Sequence, residues 1–466
     1  MIELRNKRVA VIGLSKRTGV ASARMLSRFG ARVVVSDRKG PEELKEEIAM
    51  LADCNVEFEL GGHGDKSLNN ELIVVSPGVP LTIPFFKEVR KLGIPVISEI
   101  ELAYHFTEAK IIAITGTNGK TTTTSLIGNI LQLAFPQRVK VAGNIGTPMI
   151  QEAVGLTKDD WLVVEVSSFQ LETIGDFRPH ISLYLNFTPD HLDRHLTLHN
   201  YWLAKKRIFS NQRGDDYALI NIDDPAVVKA ASDCQARLYS VSLLDQVEQG
   251  IFSKKGYLTW REPGREERVL SLADIPLMGS HNQQNVAFAV AAAVLSGANY
   301  PAIERGIKEF TPFPHRMERL TKPEEQVLII DDSKATNPDA AINALNSFQQ
   351  PMILIAGGQD RDADFTELAQ VIKQRVVHLI LLGETREKIK RQVLKAGFAN
   401  INIHIVENMQ EGVSIALKHL VPGYCLLLSP GCPSWDMYSS YQERGRDFRN
   451  TIVKIRRDLG GGPPGS

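Results

Sequence analysis

The chain has 466 residues, of which 43% are hydrophobic and 23% are charged, and its 54 Lys and Arg equal its 54 Asp and Glu. This length predicts two to four domains, at roughly 100–200 residues each. The zero formal net charge argues against nucleic acid or an anionic membrane as a partner, because both usually bind a basic surface.

The cysteines and the first residues favour a cytoplasmic location. The four cysteines are scattered without C-x-x-C spacing, which argues against a zinc site or a disulfide framework and fits a reducing compartment. Met1–Lys7 is charged and leads into a strand-like run, unlike a signal peptide. No run approaches the roughly 18 apolar residues of a membrane span. We therefore expect a cytoplasmic protein without membrane contact.

Short β-branched runs alternate with helix-length segments along almost the whole chain. These runs are continuously apolar, which predicts parallel sheets covered by helices on both faces. The predicted strands are Arg8–Ile12, Arg32–Ser36, Leu72–Val75, Pro95–Ile97, Ile111–Thr115, Leu162–Val166, Ile181–Asn186, Ala218–Asn221, Val327–Ile330, Met352–Ala356, Leu379–Leu382 and Cys425–Leu428. Several end in glycine or Ser-Pro-Gly, and ligands bind at such carboxyl ends in doubly wound sheets.

The strand pattern restarts three times, which predicts three α/β domains. We expect them at residues 1–107, 108–313 and 314–459, followed by a flexible tail or cloning remnant at 460–466. The second boundary rests on the turn-like Thr311–Pro314. Gly250–Glu267 is predicted to be a hairpin or loop of the middle domain.

The first predicted strand leads into a glycine-containing loop, Gly13–Gly19. It departs from the dinucleotide fingerprint G-x-G-x-x-G, because Ser15 stands at the second glycine position. Asp37 and Arg38 close the second predicted strand, where a dehydrogenase places an acidic residue for the ribose. The loop therefore predicts a ligand crevice but does not favour a dinucleotide.

Gly116–Thr122 follows an apolar strand and precedes a helix-like run. The order of strand, glycine turn, Lys-Thr and helix suits a triphosphate, because backbone N–H groups and the helix dipole face the phosphates. Lys120 would neutralise the β- and γ-phosphates, and the Thr121 hydroxyl would bind Mg²⁺. Ile114 stands where the general motif has its first glycine, so the alternative is a simple glycine turn.

Three polar groups follow in the middle segment. Each could serve a functional role, and each could also be an ordinary structural or solvated side chain. Glu165 ends an apolar strand and suits Mg²⁺, but a solvated acid is common there. His191 lies in Asn186–Arg194, where an isolated histidine is more often structural. Tyr201–Phe209 predicts a helix with a basic stripe, for which composition alone favours a solvated face.

The last motifs open helices or follow strands. Asn282 and Asn285 share one face of an Ala-rich helix, so both can reach one ligand, although Asn282 also suits a helix cap. Polar segments in the final third are Pro314–Arg316, Asp331–Asn337, Gly357–Phe365, Ser429–Met437 and Tyr441–Gly445.

These motifs, in this order along nearly the whole chain, resemble the Mur ligases and their folylpolyglutamate synthetase relatives. Thr115–Thr122 has the form of their phosphate loop, and Glu165–Glu172 resembles the D-glutamate-adding member. The resemblance implies an N-terminal Rossmann-like UDP-binding domain, a central P-loop ATPase-like domain with a mainly parallel sheet, and a C-terminal Rossmann-like domain. It also implies an ATP-dependent ligase that adds D-glutamate to UDP-N-acetylmuramoyl-L-alanine through an acyl phosphate, for peptidoglycan synthesis.

The resemblance assigns the nucleotide and metal groups residue by residue. It implies catalytic roles for Lys120, His191, Lys205 and Lys334. It implies ATP binding by Gly116, Thr117, Asn118, Gly119, Lys120, Thr121, Thr122, Asn282, Asn285, Arg316 and Asp332. It implies that two Mg²⁺ ions are held by Thr121, Glu165, His191 and Lys205, the last carbamylated by CO₂. Lys206 is the adjacent rival, but register with Ala204 and Arg207 favours Lys205.

The other two ligands are assigned in the same way. UDP-substrate contacts are implied for Ser15, Thr18, Asp37, Arg38, Gly78, Asn144, Ser167 and His191. D-glutamate contacts are implied for Thr336, Arg361, Ser434, Trp435 and Tyr441. Arg361 departs from the family's usual lysine and replaces a point charge by a planar fork.

Three rivals remain. A Mur ligase for L-alanine, a diamino acid or a dipeptide is disfavoured by the Ser167–Glu172 and Ser429–Asp436 segments. Folylpolyglutamate synthetase is disfavoured by the full first α/β unit. A non-catalytic nucleotide-binding or scaffold protein would require decayed chemistry, yet the lysines, Glu165 and His191 are present. We expect a monomer with small-molecule substrates.

Overall fold

The computed structural model describes residues 3–311, 314–322 and 324–458. The predicted boundary at Phe313, Leu459 and the predicted tail 460–466 lie outside the described residues. The chain forms two compact units, the first up to Pro276 with Gln284–Phe310, the second Leu277–Gln283 with the residues from Thr311 onward.

The first sheet of unit one is five-stranded and parallel, in the order β3-β2-β1-β4-β5. Its strands are β1 Arg8–Ile12, β2 Arg32–Asp37, β3 Val56–Leu60, β4 Leu72–Val75 and β5 Val96–Ser98. Its helices are α1 Thr18–Arg28, α2 Lys45–Ala49, α3 Asp65–Leu68, α4 Pro84–Lys91 and α5 Glu99–Tyr104. The prediction missed β3, because this half-buried edge strand alternates apolar residues with Glu57 and Glu59.

The second sheet of unit one has nine strands in the order β14-β13-β12-β11-β10-β9-β6-β8-β7. Its strands are β6 Lys110–Thr115, β7 Val139–Gly143, β8 Trp161–Glu165, β9 Ile181–Tyr184, β10 Tyr217–Asn221, β11 Arg237–Ser242, β12 Gly250–Lys254, β13 Tyr257–Glu262 and β14 Arg265–Ser271. Among the described strand pairs of this sheet, only β12–β13 and β13–β14 are antiparallel, and β12–β13 is the hairpin predicted at Gly250–Glu267.

Helices and short 3₁₀ turns connect these strands. They are α6 Lys120–Ala134, α7 Met149–Ala153, α8 Ser168–Leu171, α9 Leu192–His195, α10 Leu198–Lys206, α11 Pro225–Ala230, α12 Ser280–Leu295 and α13 Tyr300–Lys308, with 3₁₀ turns at Arg207–Phe209 and Leu272–Asp274. The predicted Ala-rich helix is α12, which begins in unit two and continues in unit one.

Unit two holds a six-stranded sheet in the order β15-β16-β20-β17-β18-β19. Its strands are β15 Glu318–Arg319, β16 Leu328–Asp331, β17 Met352–Ala356, β18 Val376–Leu381, β19 Ile403–Ile405 and β20 Cys425–Leu428. Its helices are α14 Pro338–Asn346, α15 Thr366–Arg375, α16 Arg386–Lys395, α17 Met409–His419 and α18 Tyr441–Asp458, with a 3₁₀ turn at Asn400–Asn402. Every pair except β15–β16 is parallel.

This topology brings distant segments to common edges. In the middle of the second sheet β9, β6, β8 and β7 are neighbours and parallel, so the loops after them leave from one edge. In unit two the same holds for β16, β20 and β17. In both sheets these are the carboxyl ends of parallel strands, and predicted site residues lie in the loops that follow them. Within the described ranges, no helix is both long enough and apolar enough to cross a membrane.

Candidate active site

The glycine loop after β6 has the backbone of a phosphate-binding turn. Gly119 precedes α6 with a φ of 81°, a left-handed conformation that glycine adopts without strain. The Lys120 amine donates to the carbonyl oxygens of Gly116 at 2.9 Å and Thr117 at 2.8 Å, so its side chain lies back over the loop. Thr121 and Thr122 occupy the first turn of α6, whose dipole favours an anion here.

Asn186, two residues beyond β9, holds this loop in shape. Its side-chain oxygen accepts from the Asn118 N–H at 2.8 Å, and its amide donates to the Asn118 carbonyl at 3.2 Å. Its own carbonyl accepts from the Thr117 N–H at 3.0 Å. No role was predicted for Asn186, because the contact joins positions 68 residues apart and depends on the pairing of β6 with β9.

Asn285 lies against the same loop. Its oxygen accepts from the Thr123 hydroxyl at 3.3 Å, and a Cβ on Gly119 would lie 2.2 Å from that oxygen. The Asn285 side chain is therefore packed on the phosphate loop, at one of the positions predicted for ATP.

Glu165 is the last residue of β8 and is buried, with one carboxylate oxygen unused. Oε1 accepts from the Asn144 amide at 2.7 Å, whereas buried Oε2 has no hydrogen-bond partner among the described residues. A buried carboxylate oxygen without a donor is costly unless a cation meets it. This arrangement fits a hard divalent cation such as Mg²⁺, which prefers oxygen ligands.

Lys205 is buried, contrary to the solvated face that composition favoured. Its side chain is 1% exposed, and its amine donates to the Gly116 carbonyl at 2.6 Å. Burial, and then the nearby charge of Lys120, hold the pKa of Lys205 well below the usual lysine range. The neighbouring Lys206 instead pairs with Asp233 at 2.7 Å near the surface. The structure thus separates the two lysines that the motif left as rivals.

His191 and Ser167 lie beside this group. His191 has a φ of 54°, a left-handed conformation at the start of α9, and its ring centroid is 5.0 Å from that of Phe169 and 6.0 Å from that of Tyr201. Ser167 caps α8, and its hydroxyl and N–H both contact Gln170. Tyr201 also reaches the phosphate loop through its hydroxyl, 3.2 Å from the Thr117 hydroxyl oxygen.

The first sheet presents the predicted UDP loop. Asp37 organises it, because its two oxygens accept from the N–H groups of Leu14 at 2.7 Å and Lys39 at 2.9 Å. The hydroxyls of Ser15 and Thr18 lie 2.9 Å apart. Arg38 is exposed, and a Cβ built on Gly78 would meet nothing within 4 Å.

Arg17 ties this loop to the loop after β7. Its guanidinium donates to the carbonyls of Gly143 at 3.2 Å, Asn144 at 3.4 Å and Gly146. Because Asn144 also holds Glu165, the loops after β1, β7 and β8 form one connected network. The sequence indicated only added charge at Arg17, since its partners lie more than 120 residues away.

In unit two, Asp332 and Lys334 follow β16. Asp332 is buried and accepts from the Ser429 hydroxyl at 2.9 Å and the Met317 N–H at 3.2 Å. Burial raises its pKa to about 7, against the opposing effect of these hydrogen bonds. The Lys334 amine lies 4.0 Å from the ring centroid of Tyr441. Asn282 donates to the Met278 carbonyl at 2.7 Å.

Arg444, on α18, joins the loops after β16 and β20 and was missed as a site residue. It is 2% exposed and donates to the Ser333 hydroxyl at 3.0 Å and the Ser333 carbonyl at 2.8 Å. It also donates to the carbonyls of Cys432 at 3.0 Å and Pro433 at 3.3 Å. Nothing in a charged helical stretch indicates burial, so only the fold identifies it.

The predicted D-glutamate residues lie on these loops of unit two, at one sheet edge. Arg361 lies with its guanidinium carbon 4.6 Å from the ring centroid of Trp435, which is itself 61% exposed. Ser434, which precedes Trp435 in the chain, is buried. Thr336, in the loop after β16, is half-buried. The Gly357 N–H donates to the Pro430 carbonyl at 2.9 Å, so the loops after β17 and β20 are in contact.

Comparison with known families agrees with this arrangement. The family models that match are the Mur ligase MurD-like N-terminal domain at residues 7–98, the Mur ligase middle domain at 114–293, and the Mur ligase glutamate ligase domain at 315–432. The chain belongs to the Mur ligase family.

Curated relatives match the chain over nearly its whole length. One, from Caldanaerobacter subterraneus subsp. tengcongensis, is 41% identical over 98% of this chain and 100% of its own, and another, from Geotalea uraniireducens, is 42% identical over 97% of this chain and 99% of its own. Each is named UDP-N-acetylmuramoylalanine–D-glutamate ligase.

Solved structures show the same fold at lower identity. A pseudomurein peptide ligase type C from Methanothermus fervidus aligns with a TM-score of 0.60 at 18% identity, over 97% of this chain and 100% of that chain. The UDP-N-acetylmuramate–alanine ligase MurC from Thermotoga maritima aligns with a TM-score of 0.57 at 16% identity, over 97% of this chain and 99% of that chain.

Proposed function

We propose that this protein is an ATP-dependent amide-bond ligase that joins D-glutamate to the L-alanine carboxylate of UDP-N-acetylmuramoyl-L-alanine in peptidoglycan synthesis. The observation that carries the proposal is the group after β6 and β8. There a phosphate loop, a buried carboxylate with an unused oxygen and a buried lysine amine lie together. Relatives that carry this name are 41% and 42% identical to the chain over nearly its full length, which supports the choice of substrates.

The proposed reaction has two steps. The L-alanine carboxylate oxygen attacks the γ-phosphorus of ATP, the bond to the β–γ bridging oxygen breaks, and an acyl phosphate and ADP form. The D-glutamate amine then attacks the acyl carbon, loses a proton, and phosphate leaves from the tetrahedral intermediate. Lys120 and Lys334 would offset the phosphoryl charge, so catalysis is mainly positioning and electrostatics.

Thr121 and Glu165 would hold one Mg²⁺, His191 would help to hold a second, and Lys205 would supply an oxygen ligand as its carbamate. Bound Mg²⁺ supplies charge neutralisation on the phosphates. A neutral amine attacks the carbon of CO₂ and releases a proton, which gives lysine an anionic oxygen. The buried environment of Lys205 favours the neutral amine that this step needs.

The ligand roles of the three predicted domains follow from the same assignment. Residues 1–107 would bind the UDP part through the loop held by Asp37, with Asn144 and Ser167 nearer the reacting end. Residues 108–313 would bind ATP, with Asn282 and Asn285 among the contacts, and Arg316 and Asp332 of residues 314–459 are assigned to ATP as well. Residues 314–459 would bind D-glutamate. We propose a monomer that works in the cytoplasm.

The test is phosphate release by the purified protein with ATP, Mg²⁺ and UDP-N-acetylmuramoyl-L-alanine. D-glutamate, L-glutamate, L-alanine and a diamino acid are compared, and the UDP product is identified by mass. We expect release only with D-glutamate. Release with another amino acid would replace the proposed specificity, and no release with any of them would favour the non-catalytic alternative.

A further inference from the structure

Three histidines cluster in unit two, in a part of the sheet that the proposed reaction does not use. His378 lies on β18, His404 on β19 and His419 at the end of α17. One ring nitrogen from each lies within 4.8 Å of the other two, and all three residues are half-buried. The ring centroids are separated by 3.9 Å for His378–His419, 5.5 Å for His404–His419 and 5.7 Å for His378–His404.

The register of the sheet explains this convergence. β18 and β19 are parallel, and His404 is paired with Ile380. His378 is two residues before Ile380, so His378 and His404 lie on the same face of the sheet. Helix α17 packs on that face, because Val413 and Ala416 share a core cluster with Ile380. The last residue of α17 therefore meets the two strand histidines.

The ring nitrogens have unused hydrogen-bonding capacity. Nδ1 of His378 and Nε2 of His404 are buried and have no hydrogen-bond partner among the described residues. Burial, and then the nearby His419, lower the pKa values of both rings, which favours the neutral imidazole with a lone pair for a metal.

Two other clusters of potential metal ligands contain carboxylates that already accept hydrogen bonds from the protein. In the cluster around Glu101, the carboxylate already accepts from the N–H groups of Gly175, Asp176 and Phe177. In the cluster around Asp331, that carboxylate is already bonded to Nδ1 of His315 at 2.6 Å. These two groups are satisfied by the protein, whereas the histidine cluster is not.

We propose that His378, His404 and His419 form a binding site for one first-row transition-metal dication of the Zn²⁺ class. Imidazole nitrogens suit Zn²⁺, Ni²⁺ and Cu²⁺ and suit Mg²⁺ poorly, so this site is chemically separate from the oxygen-rich group at Glu165. Three protein ligands leave a fourth coordination position for solvent.

The geometry is close to what the ion needs. With Zn–N bonds of about 2.0–2.1 Å, ligand nitrogens in a tetrahedral site lie about 3.3 Å apart. The nitrogens must therefore approach by at most about 1.5 Å. The rings of His378 and His419 are stacked with 22° between their planes, so the half-buried side chains must rotate until their lone pairs converge on the ion. Bound metal would tie the edge strand β19 to β18 and α17.

The test is metal binding by the full-length protein after removal of bound metal with a chelator. Zn²⁺ is titrated calorimetrically with Mg²⁺ in excess, so that the carboxylate sites are occupied. Co²⁺ serves as a second probe, because its visible absorption is intense in a tetrahedral site and weak in an octahedral one. We expect one Zn²⁺ per chain, a higher melting temperature with Zn²⁺, and intense visible Co²⁺ bands.

Variants locate the site. His404→Gln and His419→Gln are each expected to weaken Zn²⁺ binding by at least about tenfold, because a ligand is lost. His199→Gln, at an exposed histidine outside the cluster, should bind Zn²⁺ as the wild type does. Ligase activity without added Zn²⁺ checks that each variant is folded.

Two results would overturn the proposal. One is wild-type protein without one-to-one Zn²⁺ binding and without Co²⁺ bands. The other is binding that both cluster variants retain unchanged. The wild-type measurements decide the question even if a variant fails to fold. A protein that binds Zn²⁺ as expected but shows no ligase activity would leave this site standing and remove only the proposed function.

Discussion

Lys205 presents an amine where the fold leaves no room for hydration. It shares the Gly116 carbonyl with the Lys120 amine, and two ammonium groups at one oxygen would repel each other. A neutral amine, or its conversion to an anionic carbamate, relieves this repulsion. The carbamate would also place negative charge near the phosphate loop, where Mg²⁺ is proposed to bind.

Lys205→Arg tests this directly, because a guanidinium keeps a positive charge and does not form a carbamate. We expect phosphate release to fall by at least about 100-fold, as for loss of a group that tunes a metal site. Lys206→Arg, one residue away and paired with Asp233, should stay within about twofold of wild type.

The accompanying measurement is carbon NMR with ¹³C-bicarbonate. A carbamate signal is expected in wild type and in Lys206→Arg, and it should be absent from Lys205→Arg. An active protein whose rate does not depend on dissolved CO₂, and which gives no such signal, would rule the carbamate out.

At the scale of the element, the turn between β6 and α6 depends on close packing as well as on backbone freedom. Gly119 has a φ of 81°, and a Cβ there would lie 2.2 Å from the Asn285 side-chain oxygen. Gly256, between β12 and β13, has a φ of 79°, and a Cβ there would meet nothing within 4 Å. The two glycines share a conformation and differ in their surroundings.

Alanine substitutions at Gly119 and Gly256 separate the effect of backbone conformation from the effect of close packing. Both Gly119→Ala and Gly256→Ala should lose about 1–2 kcal/mol of folding free energy from the left-handed backbone. Only Gly119→Ala should also raise the KM for ATP, by at least about tenfold, because the new methyl displaces Asn285 from the loop. Equal ATP dependence in the two variants would show that the contact with Asn285 does not matter.

The positions of the loops after β16 and β20 depend on the planar guanidinium group of Arg444. Lysine at this position keeps the charge but cannot direct several N–H groups to Ser333, Cys432 and Pro433 at once. We expect Arg444→Lys to lose about 2–4 kcal/mol of stability and to raise the KM for D-glutamate more than that for ATP. Urea unfolding and steady-state kinetics measure the two effects, with the exposed Arg446→Lys as the control.

The stability of the whole molecule should depend on pH through Glu99. This side chain is 1% exposed, accepts from the Ile150 N–H at 2.7 Å, and has a second oxygen without a partner among the described residues. Burial raises its pKa to about 7, although nearby polar groups oppose this effect. The folded protein therefore retains a proton that the unfolded chain releases at lower pH.

The sign follows from linkage. The folded pKa lies above the unfolded value of 4.5, so folding stability is lost as pH rises from about 4.5 to about 7. The loss from this group amounts to about 3 kcal/mol. Glu99→Gln keeps an acceptor for Ile150 and cannot ionise, so its melting temperature should exceed that of wild type at pH 8 and approach it at pH 5. Parallel pH profiles for the two proteins would contradict this.

The sequence predicted what depends on local pattern. Apolar runs placed the most deeply buried strands within a few residues, whereas β11, which is partly exposed, was missed although it lies inside its sheet. Gly116–Thr122 indicated a phosphate loop from its local pattern alone. Edge strands such as β3 and β19 were missed, because partial exposure removes the continuous apolar pattern. The clamp by Asn186 and the burial of Arg444 depend on contacts between distant segments, which no local pattern encodes.

The strand order β16-β20-β17 also has a consequence for changing the enzyme's choice of amino acid. The loops at these strand ends, where D-glutamate is proposed to bind, come from segments that begin after Asp331, Ala356 and Leu428, so the proposed site is encoded in three distant stretches of the gene. Arg444 and the Gly357–Pro430 contact fix these stretches against one another. Transplanting a single loop from a relative would leave its neighbours mismatched, and a new preference would require exchanging all three together.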